Sequence, residues 1–203
     1  YCDHFPTLDI CICYTGVTPA TGKAIMAYIV NILGGPASGK STLAAQLYAH
    51  FKIKQYDVEY VNEFAKELVY ENNLKALANQ TYVFGTQLHR LLMAAEHNEL
   101  IVCDSPLLLA AIYQDNTSKM LTELIVEMHE KFTNYNILLK RNMQHHSMVG
   151  RIHSLTQSVS IDNQIVHLLN DRLIPYRTYN STEQTVESLA HDILLAYGKE
   201  INR

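Results

Sequence analysis

The stretch YIVNILGGPASGKST, residues 28–42, leaves this chain little freedom of fold. Residues 28–33 read as a buried strand, and such a strand needs covering layers on both sides of its sheet. Two glycines follow, and from about Lys40 to Lys52 the composition is helical. Between strand and helix the residues satisfy the spacing Gly34-x-x-x-x-Gly39-Lys40-Ser41, the Walker A pattern. Each part has a physical task. Glycines let the backbone curl so that N–H groups converge on phosphate oxygens, and the helix that follows adds its positive end. Lys40 can reach terminal phosphates, and the Ser41 hydroxyl is placed to ligate magnesium. The loop Gly34, Gly35, Pro36, Ala37, Ser38 and Gly39, with Lys40, Ser41 and Thr42, is therefore the expected nucleotide cradle.

Downstream, short apolar runs alternate with longer amphipathic stretches. Residues 57–63 alternate as a strand does and are rich in Val and Tyr. Helices are expected at about 64–72 and 80–97; in the second, Val83, Gln87, Arg90 and Ala94 share one stripe. A third strand over 99–104 stops at Ser105 and Pro106, and a helix at about 117–133 leads to a fourth strand, 135–140. Residues 174–179 read as a fifth strand, and 183–197 as a closing helix with Asn180, Ser181 and Thr182 as its cap region. Strands separated by helices predict an α/β fold with a parallel sheet.

With 203 residues the chain has room for about one domain. Residues 1–25 mix Pro, Thr, Gly and Cys without a sustained period and read as an N-terminal extension; the functional domain is expected over 26–203. Cys2, His4, Cys11 and Cys13 could gather around zinc, although their spacing is not the usual paired one. The absence of a secretory signal in this sequence and the apolar setting of Cys103 suit a reducing cytoplasm. The longest apolar stretches, 24–30 and 107–113, fall far short of the roughly 20 residues of a membrane span. A net charge of −4 argues against a broad nucleic-acid footprint.

The third strand narrows the chemistry. Asp104 follows LIVC and stands at a strand tip, within reach of a magnesium shell. Motor ATPases usually follow this Asp with a Glu that activates water, whereas here Ser105 and Pro106 follow. The Asn-Lys-x-Asp pattern of guanine-nucleotide switches does not occur. Both features point from hydrolysis towards transfer. Transfer needs a carboxylate near the acceptor hydroxyl, and Glu63 at the end of the second strand is the candidate. It also needs an acceptor pocket, for which Tyr82, Phe84, Gln87 and Arg90 are candidates. Finally it needs cations over the transferring group. The segment 140–153 carries Lys140, Arg141 and Arg151 with Gly150 as a hinge, and a lid is expected over about 141–162.

The blocks GGPASGKST (34–42), VNEFAKELVYE (61–71), YVFGTQLHR (82–90), CDSPLLL (103–109), GRIHSLTQSVSIDNQI (150–165) and IPY (174–176) resemble the NadR-like P-loop ATPase and kinase family. This AAA-type family includes ribosylnicotinamide kinase domains and phage-encoded small nucleotide kinases. The resemblance implies a five-stranded parallel sheet of nucleoside-kinase type, with ATP and Mg2+ as cofactors and a nucleoside, nucleotide or ribosylnicotinamide-like acceptor. It implies Lys40 and Ser41 as phosphate and magnesium residues, Asp104 as the strand-end carboxylate, Glu63 on the acceptor side and Arg151 in the lid. The expected partner is a small molecule, with a homodimer open. A stand-alone NTPase, a nucleotide-gated binding module and, with less support, a polynucleotide kinase remain as alternatives.

Overall fold

A computed structural model of the chain describes residues 27–114, 118–141, 154–180 and 184–198. The N-terminal extension with its Cys and His residues, most of the lid segment and Arg151 lie outside these residues. Five strands, β1 (Tyr28–Leu33), β2 (Val58–Val61), β3 (Leu100–Cys103), β4 (Thr133–Leu139) and β5 (Arg177–Tyr179), form one parallel sheet in the order β2-β3-β1-β4-β5. This is the parallel α/β sheet expected from the sequence.

Every residue of β1 is buried, and the strand pairs with β3 on one side and β4 on the other. Its alternation assigns the layers. Tyr28, Val30 and Ile32 pack in one cluster with Leu43, Leu47 and Phe51 of α1 (Lys40–Ile53) and Leu189, Ile193 and Leu194 of α8 (Val186–Tyr197). Ile29 and Leu33 belong to the opposite cluster. That cluster takes in α4 (Gln80–His97), α5 (Leu108–Tyr113), α6 (Lys119–Glu130) and α7 (Leu155–Asp171). Two short helices, α2 (Phe64–Tyr70) and α3 (Leu74–Ala78), stand between β2 and α4.

The chain departs from expectation in several places. β2 ends at Val61, so Glu63 is the N-cap residue of α2 and not the last residue of a strand. β5 shortens to Arg177–Tyr179, and α8 is capped by Thr185, whose side chain accepts from the Ser188 amide. Helices α3 and α5 are additional. The largest difference is α7, whose first turns occupy the last part of the expected lid, 141–162. Its signals are local: Ser154 and Gln157 form a capping box, and Ser158, Ile161, Ile165 and Leu169 make one buried stripe. The mostly polar stretch 156–160, whose one apolar residue Val159 is off the buried stripe, dilutes that period in the sequence.

One polar network runs through the packed layer. Asn31 on β1 is 2 % exposed and donates through Nδ2 to Oδ1 of Asn134 at 2.8 Å and of Asn136 at 3.1 Å. Asn136 donates onward to the Pro175 carbonyl, and Asn134 to those of His129 and Phe132. A one-residue slip between β1 and β4 would break this ladder, so it fixes their register. Asn31→Leu removes the shared donor from one buried and one half-buried acceptor. It is expected to cost about 1–3 kcal/mol in urea denaturation; an unchanged midpoint would show that the ladder adds nothing.

His129, on α6, is 4 % exposed, and burial pushes its imidazole down to about 4. In the unfolded chain the same ring takes a proton near pH 6.5. The unfolded state therefore binds more protons between those values, and stability rises with pH in that window. The contribution is full above about pH 6.5 and is lost as pH falls through the folded value. Between pH 7 and 5 the wild-type urea midpoint should fall more steeply than that of His129→Gln. Equal slopes would rule this out.

Candidate functional site

Order β2-β3-β1-β4-β5 reverses direction at β1: the next strand in sequence, β2, lies beyond β3, while β4 lies on the other side. The carboxyl ends of β1 and β3 thus flank the crevice where such sheets bind ligands. β1 runs into the glycine loop, and β3 runs into Asp104. Two groups that are far apart in sequence become neighbours because their strands are paired and parallel.

The loop's shape follows from its residues. Gly39 caps α1 at φ 99°, a left-handed conformation suited to glycine, and Ala37 also has a positive φ of 66°. Lys40 is 8 % exposed, and its ammonium donates to the Gly35 carbonyl at 3.1 Å. Pro36 to Thr42 form one wall of a cleft of about 530 Å³. Gly34 and Gly35 lie behind that wall. Gly35 has no room for a side chain, because a Cβ there would come within 2.7 Å of the Ser158 carbonyl and 2.8 Å of Asp162 Oδ1.

The cleft lining also includes Ser105, Pro106 and Glu63, together with a mostly apolar set of side chains. Ala65, Val69, Leu77, Val83, Phe84 and Ala110 contribute to its walls, with Lys66, Gln80 and Tyr113 as polar members. Glu63 is half-buried, and although it is the N-cap residue its side chain makes no capping bond. Tyr113 stands in the wall with its phenol pushed up, first by burial and then by the charges of Glu63 and Asp162. It is therefore a neutral hydroxyl among carboxylates.

Asp104 is 2 % exposed. Its Oδ2 accepts from the Tyr60 hydroxyl at 3.2 Å, and that phenol is pushed up by burial and by the Asp104 charge, so it stays a donor. Asp104 Oδ1 is buried with no hydrogen-bond partner among the described residues. Such an oxygen is costly unless a donor or cation satisfies it. Ser41 on the cleft wall and Asp104 are the oxygen donors that could hold a hydrated magnesium ion, which prefers one or two protein oxygens and keeps several waters.

The acceptor-side candidates divide. Gln87 lines the cleft but is committed to α2: Nε2 donates to the Asn62 carbonyl at 3.1 Å, and Oε1 accepts from the Phe64 amide at 3.2 Å. It thus grips the backbone on both sides of Glu63. Arg90 does not line the cleft. It makes a bidentate pair with Glu67 at 2.7 and 2.8 Å, donates to Asn62 Oδ1, and lies over the Phe64 ring at 4.9 Å. These hydrogen bonds hold the Glu67 carboxyl below its usual range. Tyr82 is 48 % exposed and meets the edge of Phe64, also outside the cleft. The α4 stripe therefore serves chiefly to brace α2. Phe84, by contrast, is in the cleft wall. Lys66, Gln80, Tyr60 and Tyr113 were not picked out by sequence pattern, because each reaches the site through tertiary packing.

Arg141 also differs from a group free to swing. It is 6 % exposed, with Nε donating to Asp162 Oδ2 at 2.8 Å and Nη1 to the Pro36 carbonyl at 2.7 Å. It lies behind the loop, not in the cleft. Among the described residues no cluster of three or more His, Cys, Asp or Glu could hold a metal, and no helix is long and apolar enough to cross a membrane.

The grip of Gln87 on α2 is testable without any ligand. Gln87→Leu keeps the volume but strands the Phe64 amide and the Asn62 carbonyl. Hydrogen exchange at Phe64 should accelerate at least about tenfold, the equivalent of one lost net hydrogen bond, while the amides of β1 keep their protection. Unaltered exchange at Phe64 would exclude the clamp.

A family described as AAA domain matches residues 29–185. No curated protein matches the chain in sequence. Among solved structures, NadR in complex with NR superposes with a TM-score of 0.63 at 15 % identity, over 88 % of this chain and 54 % of the NadR chain. The chain thus spans about half the length of NadR. Deoxyadenosine kinase from M. mycoides with bound dCTP gives a TM-score of 0.51 at 16 % identity, over 85 % of this chain and 100 % of the kinase. Thymidylate kinase from Ehrlichia chaffeensis gives 0.57 at 11 % identity, over 85 % of this chain and 98 % of the enzyme. At these identities the likeness is one of fold. Matched over more than half its length, the chain belongs to this AAA domain family.

Proposed function

We propose that this protein transfers the terminal phosphoryl group of ATP to a hydroxyl of a nucleoside, nucleotide or ribosylnicotinamide-like molecule. The observation that carries the reading is a single cleft whose walls include both the glycine loop and a mostly apolar chamber of side chains, with Glu63 also in the wall. A protein that only hydrolysed nucleotide would need no such chamber beside its phosphate loop. NadR and the two nucleoside or nucleotide kinases named above share the fold, which is consistent with this chemistry.

In this reading the amides of the loop and Lys40 hold the donor's phosphate tail. Magnesium, held through Ser41 and Asp104, would neutralise charge on the terminal phosphates. Glu63 accepts a hydrogen bond from the acceptor hydroxyl and takes its proton as the new O–P bond forms and the bond to the donor's bridging oxygen breaks. Gln87 holds Glu63 by fixing the backbone either side of it. Tyr60 keeps one oxygen of Asp104 occupied and leaves the other for the metal shell. The chamber removes the acceptor's heterocycle from water, and Lys66 and Gln80 offer polar contacts at its wall. Arg151 is assigned to the lid, where its guanidinium covers the charge that develops on the transferring group.

Incubation with labelled ATP and a panel of nucleosides, nucleoside monophosphates and nicotinamide riboside should give a labelled product with at least one acceptor. Lys40→Ala and Arg151→Ala should each lower turnover by about a hundredfold or more, and Glu63→Gln by about 10²–10⁴. All should leave the melting temperature close to wild type. Steady ATP consumption that is indifferent to every acceptor would replace the kinase reading with an NTPase.

A further inference from the structure

Asp162 has no place in the chemistry described so far, yet it is hydrogen-bonded directly to the glycine loop. Its Oδ1 accepts from the Gly35 amide at 2.6 Å. Its Oδ2 accepts from Arg141 Nε at 2.8 Å. Arg141 in turn donates through Nη1 to the carbonyl of Pro36, the next residue of the loop. The Gly35 carbonyl is taken by Lys40. Both peptide groups of residue 35 and the one that follows are therefore held: one from the front by the ammonium, two from behind by the carboxylate and the guanidinium.

We propose that Asp162 and Arg141 act as a paired positioning device for nucleotide binding. They set the curl of residues 36–39 from the rear and do not themselves touch the phosphates. Gly35 lies behind the cleft wall, whereas Pro36 and the residues after it form that wall. The contact is built tightly: a Cβ at Gly35 would strike Asp162 Oδ1 and the Ser158 carbonyl and come within 3.1 Å of Arg141 Nη2. Both side chains are shielded, with Arg141 6 % and Asp162 23 % exposed. A carboxylate bonded to both a backbone amide and a guanidinium has each oxygen committed, and such charge-assisted bonds are the stronger ones. Without the carboxylate, Arg141 is a buried cation lacking its counter-charge, next to a loop that must gather anionic phosphates in a defined shape. The pair thus converts a flexible glycine-rich segment into a preformed cradle, and the ordering is complete before the ligand arrives. This assignment also replaces the expectation of Arg141 as a transfer residue. Its Nε and Nη1 are already engaged by fixed partners, and Nη2 is buried without a hydrogen-bond partner among the described residues.

The inference rests on the nucleotide-binding reading above, and the test separates the two. Titration calorimetry with magnesium and a non-hydrolysable ATP analogue on the wild-type chain tests that reading: no heat there rejects nucleotide binding itself. Given wild-type binding, Asp162→Ala and Arg141→Gln should each raise the dissociation constant by about tenfold to a hundredfold. The double variant should bind about as weakly as either single one, because the two groups act as a unit. Asp162→Asn, which keeps an oxygen for the Gly35 amide but not the charge, should fall between. Glu123→Gln breaks an ion pair with Arg172 remote from the loop and should bind as wild type does.

Two further readouts separate positioning from mere stability. In the ligand-free protein the Gly35 amide proton, bonded to a carboxylate, should resonate well downfield in the wild type and lose that shift in Asp162→Ala. With turnover as the readout, KM for ATP should rise more than kcat falls, the reverse of what loss of a transfer group produces. If Asp162→Ala does not fold, Asp162→Asn and Arg141→Lys carry the same comparisons. Wild-type affinity and an unshifted Gly35 resonance in a folded Asp162 variant would overturn the proposal, as would strictly additive losses in the double variant.

Discussion

β1 has no side that water can reach. Its six residues are buried, so the strand must be hydrogen-bonded along both edges and covered on both faces, and the parallel pairing to β3 and β4 satisfies the first demand. Everything functional is set by that placement. A strand in the middle of a parallel sheet delivers its carboxyl end to the same rim as its neighbours, so the loop after β1 and the carboxylate after β3 come together without any contact between them being required. The choice of which helices cover which face then decides what else arrives at the rim: α1 begins in the loop, while α5 and α7 close on it from the opposite layer.

The two ends of the cleft are stiffened by different means. At the phosphate end, the backbone itself is the recognition surface, and a flexible glycine-rich backbone must be held by charges from elsewhere; Asp162 and Arg141 lie against it for that purpose. Away from the loop the cleft is lined by side chains on α2, α3, α4 and α5. There the stiffening comes from α4, through Gln87 on the backbone of α2 and through Arg90 on Glu67, Asn62 and the ring of Phe64. Glu63 shares the same cleft wall.

How much of this could be read from the chain depends on how local each feature is. The glycine loop, the five strands and the strand-tip position of Asp104 are governed by runs of adjacent residues, and they are legible in the sequence. Helix α7 was legible in principle, through Ser154, Gln157 and the spacing of Ile161, Ile165 and Leu169, but its polar first turns resemble a loop. The roles along α4 were not legible. Val83, Gln87, Arg90 and Ala94 share a stripe, yet whether a residue on it faces ligand or protein depends on how α2 docks, which is decided by contacts across more than twenty residues of chain. Least legible is the bond between Gly35 and Asp162, partners 127 residues apart. No periodicity announces it; only the requirement for a glycine with no room beside it gives a hint, and that too emerges from packing.

Helix α3 has an unusual division of labour. None of its residues is buried, yet Leu74, Leu77 and Ala78 stand in the wall of the cleft. Leu77 packs in part against Phe64, Leu68 and Val83, but Leu74 and Ala78 are exposed, and the hydrophobic layers beneath place little demand on what those two positions hold. Sequence drift there would reshape the chamber while leaving sheet, phosphate loop and carboxylates intact, so a lineage carrying this scaffold could exchange one guest molecule for another long before it had to rebuild anything that makes it fold.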